Sequence, residues 1–94
     1  MREMNARECA EYALSCDETL GEAIPMAFAM GGADAVHALL DAVREQRGAD
    51  GLAGAQEALI GVRAEIERRI EDGSRLARGH NEGERQKIRR LLAR

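Results

Sequence analysis

Residues 50–72 read DGLAGAQEALIGVRAEIERRIED, and their apolar positions Leu52, Ala55, Leu59, Val62 and Ile66 recur at alternating three- and four-residue steps, with Ile70 one turn further on. That spacing puts every apolar side chain on one stripe of a helix and leaves the charged residues on the rest of the cylinder. A stripe kept over about 22 residues is that of a bundle or short coiled-coil helix, which packs against an antiparallel neighbour at about 20°. Asp50 is placed to cap its start, and Gly73 with Ser74 to end it.

The segment before it supplies the neighbour. Val36, Leu39, Leu40 and Val43 form a core-facing stripe over 33–46, closed by Gly48, while Asp34, Asp41, Arg44 and Glu45 face water. Gly31 and Gly32 punctuate the chain ahead of this helix. Further upstream, Cys9, Ala13, Cys16 and Leu20 mark an amphipathic first helix starting near Met4, with Glu8, Glu11, Asp17 and Glu18 on its other faces. Gly21 and Pro25 predict a break between 17 and 25, because proline lacks an amide donor and its ring crowds the preceding turn. A short apolar helix then runs through Met30, with Thr19 and Glu22 at capping-box spacing.

Beyond Ser74 the run from Arg78 to Gly83 reads as a mobile connector. Residues 84–93 then form a basic amphipathic helix, with Ile88, Leu91 and Leu92 on one side and Arg85, Lys87, Arg89, Arg90 and Arg94 around it. So short a helix needs a docking surface to be ordered. The expected fold is all-α: one domain, 1–94, built as a bundle of four to five helices around a central hairpin of 33–46 and 50–72. The first helix packs across that hairpin, and 79–94 is a basic tail, mobile or docked on a partner.

Composition agrees with this class. Seventeen Ala and nine Leu outweigh a combined nine Val, Ile and Thr, a balance that favours helix over strand. Tyr12 and Phe28 are the only Tyr and Phe, and there is no Trp, which excludes a base-stacking platform. Alanine faces pack closely but bury little area each, so a homodimer is expected. The start of the chain is charged and no run of apolar residues matches a membrane span, so a cytoplasmic protein is expected. Cys9 and Cys16 lie seven residues apart, about 10 Å of helical rise, too far for a disulfide; both read as reduced core residues. Thirteen Arg against one Lys is a bias of high-GC bacterial, phage or plasmid coding.

Charge divides the chain. Residues 1–74 hold seven Arg and 15 acids, whereas residues 75–94 hold seven basic residues and two acids. The basic helix therefore either folds onto the acidic body, or onto that of a twin subunit, or reaches an acidic protein surface or nucleic-acid phosphates. No helix-turn-helix, zinc-finger or aromatic-basic pattern supports nucleic acid, and the apolar face lacks the Trp or Phe of a membrane anchor. The acids Glu8, Glu11 and Glu18 form a solvated face that a partner could contact, or one that imitates a phosphate backbone.

Catalytic and metal readings find little to stand on. His37 lies one turn before Asp41, as a base and its orienting carboxylate would, but no nucleophile follows, and a surface histidine bonded to Asp41 is the simpler reading. Cys9, Cys16, His37 and His80 match no zinc spacing, and neither histidine has a Glu three residues before it, as a di-iron bundle requires. Gly31–Gly32 lacks the Lys and Ser or Thr of a phosphate loop. Met26, Phe28 and Met30 read as core, with an adaptable contact surface as the alternative. No catalytic, cofactor or metal residue is assigned.

The functional expectation is a non-enzymatic module that binds a larger protein or protein–nucleic-acid complex through Arg85, Lys87, Arg89 and Arg90 and through Glu8, Glu11 and Glu18. The alternative is a nucleic-acid-binding accessory factor acting through the basic helix. In general character the chain resembles the small helical accessory or inhibitor proteins of phages and mobile elements, anti-CRISPR proteins among them, which implies an inhibitor or adaptor.

Overall fold

The computed structural model describes residues 4–16, 19–73 and 75–93, without the side chains of 75–78. It is all-α, with four helices: α1 (Ala6–Cys16), α2 (Leu20–Arg47), α3 (Ala55–Asp72) and α4 (Arg75–Leu92). A short 3-10 turn, Ala49–Leu52, links α2 to α3. The helices form a slab of 40 × 35 × 17 Å.

Alpha-helix α2 is bent. Its residues keep helical dihedrals except Gly32, at φ 73°, ψ −162°, a conformation closed to side-chain-bearing residues. The bend divides α2 into a first arm, 20–31, and a second arm, 33–47. It also strips the second arm's first amide, Ala33 N–H, of an intrahelical acceptor. Glu84 of α4 supplies one, its Oε2 lying 2.5 Å from Ala33 N. That carboxylate is well enclosed, with 11% of its side chain exposed, and it sits at the positive end of a helix dipole.

Gly31 next to the bend answers a different need. A Cβ there would lie 3.1 Å from Cys9 Sγ and 2.8 Å from Ala35 Cβ. Its bareness lets α1 cross the bend with Cys9, Ala10 and Ala13 fully inside. Asn5 and Glu8 cap α1 reciprocally, Glu8 N–H donating to Asn5 Oδ1 at 2.8 Å and Asn5 N–H to Glu8 Oε1 at 3.3 Å. The largest completely buried side chains, Ile24, Val36, Leu39, Val43, Ile66 and Ile88, come from both arms of α2, from α3 and from α4.

Several sequence expectations need correcting. Pro25 does not break the chain: it lies inside α2, whose first arm runs through it. Gly21, four residues earlier, is exposed, so water can serve the carbonyl that proline leaves without a donor. Thr19 opens α2 through its carbonyl, which accepts from Ala23 N–H at 3.0 Å, not through a side-chain cap. Asp50 does not cap α3, because residues 49–52 close a 3-10 turn and Gly54, in the left-handed region at φ 84°, starts the helix. Leu52 thus falls outside the helix whose stripe it was read into.

The largest correction concerns the C-terminal region. Residues 78–83, expected as a connector, are helical, and α4 is one unbroken helix of 18 residues rather than a short one from 84. Its inward seam is Asn81, Glu84, Ile88 and Leu91, at steps of three and four. Glu84 meets the bend in α2, Asn81 lies against the end of α3 at Gly73, and the apolar half enters the core, so tertiary docking overrides the cost of Gly79 and Gly83. The most extensive helix pairings are α1 on α2 and α3 on α4, whereas α2 and α3 touch less.

By length and average hydropathy α2 would suffice to cross a membrane, and half of the qualifying stretch is buried in the bundle.

The bend makes a stability prediction. Gly32→Ala places a side chain at φ 73° with its Cβ 3.0 Å from Glu84 Oε1. A cost of about 1–3 kcal/mol is expected for forcing that backbone region. Loss of the charged hydrogen bond in Glu84→Ala should cost about 1–3 kcal/mol, and Glu84→Gln less. Urea unfolding followed by circular dichroism measures both, and a Gly32→Ala chain as stable as the parent would contradict the bend.

Candidate functional site: the cationic rim of the C-terminal helix

The charge division in the sequence is met in part within the chain. Lys87 Nζ reaches Asp34 Oδ1 at 3.1 Å, one residue past the Glu84–Ala33 link. On the other flank of α4, Arg89 meets Glu67 of α3 at 3.9 Å. Arg85 is half-buried with its Nε enclosed and without a hydrogen-bond partner. Arg90 is exposed on the outer side. Of the four basic residues picked out in the sequence, then, two bridge to the body, one is partly packed and one points outward.

Around the second-arm N-terminus a cavity of about 250 Å³ is lined by Ala33, Asp34, His37, Lys87, Arg90 and Leu91. His37 comes to it from α2, held at 3.3 Å to Asp41 Oδ2. Three nitrogen-bearing side chains thus share a rim, Lys87 paired with Asp34, His37 with Asp41, and Arg90 exposed beside them. No nucleophile lines it. His80 lies 3.8 Å from Glu84 Oε1 but outside this cavity. Among the described residues no group of three His, Cys, Asp or Glu side chains is arranged to hold a metal ion.

Two of the acidic residues of α1 make contacts within the chain. Glu8 serves the helix cap. Glu11 pairs with Arg7 at 3.1 Å, and Arg7 also reaches Glu45 of α2 at 3.6 Å. These exposed pairs contribute little to stability. Glu18 lies outside the described residues. Of the two cysteines, Cys9 is buried as expected but Cys16 is exposed, so it is not a core residue. Phe28 is buried with the Arg69 guanidinium 5.2 Å from its ring centre, whereas Met30 is exposed.

Sequence reasoning missed Glu84 and Asn81. Their signal was a three-and-four spacing that continues the Ile88–Leu91 stripe backwards, hidden because both residues are polar.

Compared with protein-family models, curated proteins and solved structures, the chain matches none.

Tyr12 and Cys16, one turn apart on α1, give a local check of the geometry. The phenol's pKa is raised above its ordinary value by its hydrogen bond with Cys16, and further by the thiolate charge. Tyr12 is the single tyrosine in a chain without Trp, so phenolate absorbance reports it alone. The titration midpoint should lie above that of a free tyrosine and fall towards it in Cys16→Ala. Because the folded value is the higher one, any stabilisation is complete below the ordinary tyrosine range and is lost as pH rises through the shifted midpoint.

Proposed function

We propose that this chain is a non-enzymatic binding module, an adaptor or inhibitor, that docks onto a larger protein or protein–nucleic-acid complex. The observation that carries the reading is the placement of charge. Several of the described ionisable side chains lie in pairs along the surface, Arg7 with Glu11, Lys87 with Asp34 and Arg89 with Glu67 among them. One locus departs from the acidic surroundings: the rim formed by His37, Lys87 and Arg90. Fixed to a helix that is itself tied to the body at Glu84, this rim is preorganised, so binding there costs little ordering entropy. The chemistry it fits is a carboxylate-rich patch on a folded partner.

The basic helix supports a second reading, binding to nucleic-acid phosphates through Arg85, Lys87, Arg89 and Arg90. Against it stands the chain's net charge of −3, which disfavours a polyanion beyond that helix.

Two measurements separate the readings. Affinity capture from the native host, followed by titration of the captured partner, should show Arg90→Glu binding about ten-fold more weakly, about 1.4 kcal/mol. Equal affinity of the variant would remove the rim from the interface. For duplex DNA, four phosphate contacts would give a log–log salt slope of about −3.6, and absence of binding at low salt eliminates that alternative.

A further inference from the structure

The side of α3 away from α4 carries a second feature that the rim does not use. Two cavities, of about 480 and 470 Å³, lie between the first arm of α2 and α3 and share Gly21 and Ala58 as walls. Together they make one open groove following α3 from Gly54 to Arg69, about 22 Å at the rise of a helix.

Its walls are bare where the fold has no need of bareness. Gly21 and Gly61 face the groove from within helices at ordinary negative φ. A Cβ on either would meet nothing within 4 Å. Each costs roughly 0.5–1 kcal/mol relative to alanine in a helix, and the protomer recovers none of it. Pro25 and Ala29 extend the same small-residue wall. Gly79 and Gly83 are equally open, but they lie outside any such groove, on the outer side of α4. Close approach by another backbone is the return that groove glycines give.

The charges along the groove decide what approaches. Arg47 and Glu57 flank one end, and Glu65 with Arg69, paired at 3.4 Å within the protomer, the other, with Asp72 beyond. Both signs occur, in an order suited to a two-fold axis. If two α3 helices cross antiparallel about residue 63, Glu57 faces Arg69 of the second copy. The Arg47 end then faces Asp72, and Glu65 lies over Gly61, where no side chain is displaced. In an isologous interface each such pair occurs twice.

We propose that the α2–α3 groove is the seat of a second copy of this chain, in an antiparallel two-fold dimer held by Glu57–Arg69 pairs and by backbone approach at Gly61. This goes beyond the binding role assigned to the rim and does not depend on it.

Sedimentation equilibrium across a wide concentration range tests it. The parent chain is expected at twice the 10.3 kDa chain mass. Gly61→Gln should run at the single-chain mass with unchanged helicity, because the substitution favours the helix and fills the groove. Glu57→Arg and Arg69→Glu should each be monomeric, and the double reversal should dimerise again. Arg69 also covers Phe28, so its single variant is interpreted only beside a normal circular dichroism spectrum, and Glu57→Arg carries the result otherwise. A parent chain that stays at single-chain mass overturns the proposal, including the case in which a foreign helix fills the groove. So does a dimer that survives both Gly61→Gln and Glu57→Arg. Partner capture by the monomeric Gly61→Gln chain tests the rim separately.

Discussion

Everything in this fold hangs on the bend at Gly32 and the carboxylate that fills it. A glycine in a backbone region closed to other residues ends one helical arm and starts another. The interruption would leave an amide and a positive helix end facing inward without a partner. Glu84, 51 residues further along, accepts from that amide and is held nearly out of solvent while doing so. The bend and α4 therefore depend on one another: without Glu84 the second arm starts with an unsatisfied donor, and without the bend Glu84 is a carboxylate with no reason to be enclosed. A buried charge is tolerated only when hydrogen-bonded.

From that link the charge layout follows. Fixing Glu84 against Ala33 brings Lys87 to Asp34 and turns the opposite flank of α4 towards Glu67. Two charges of the basic end thus bridge to the acidic body, and the helix that carries them is docked rather than a free basic arm. The thin slab leaves its other broad feature, the groove between α2 and α3, unfilled within the protomer. The alanine and glycine content lies behind both properties, since small residues let α1 cross the bend closely yet fill too little volume to close the space beside α3.

The class of the fold was legible in the residues. The stripe Ala55, Leu59, Val62, Ile66 does face the core, as do Val36, Leu39, Leu40 and Val43, because these segments bury an apolar face and nothing competes with the pattern. Gly31–Gly32 was legible as punctuation, although its partner was not. Legibility failed wherever tertiary contact outweighed local preference. Pro25 reads as a breaker, but a carbonyl exposed to water makes it tolerable. Residues 78–83 read as a connector because two glycines, a histidine and an asparagine hide a seam whose inward positions are polar. Periodicity of hydrophobic residues cannot register a helix face built on Asn81 and Glu84. The site residues divided the same way: Lys87, Arg89 and Arg90 were found as charges, but only the coordinates show which of them the body consumes.

Amide hydrogen exchange by NMR addresses the link between bend and tail most directly. Ala33 N–H should exchange slowly in the parent chain, together with the amides of α4 around Asn81 to Ile88, and both should lose protection in concert in Glu84→Ala while the α1–α2 core keeps its own. An Ala33 amide exchanging at the rate of an open chain in the folded parent, or one indifferent to the loss of Glu84, would contradict the account.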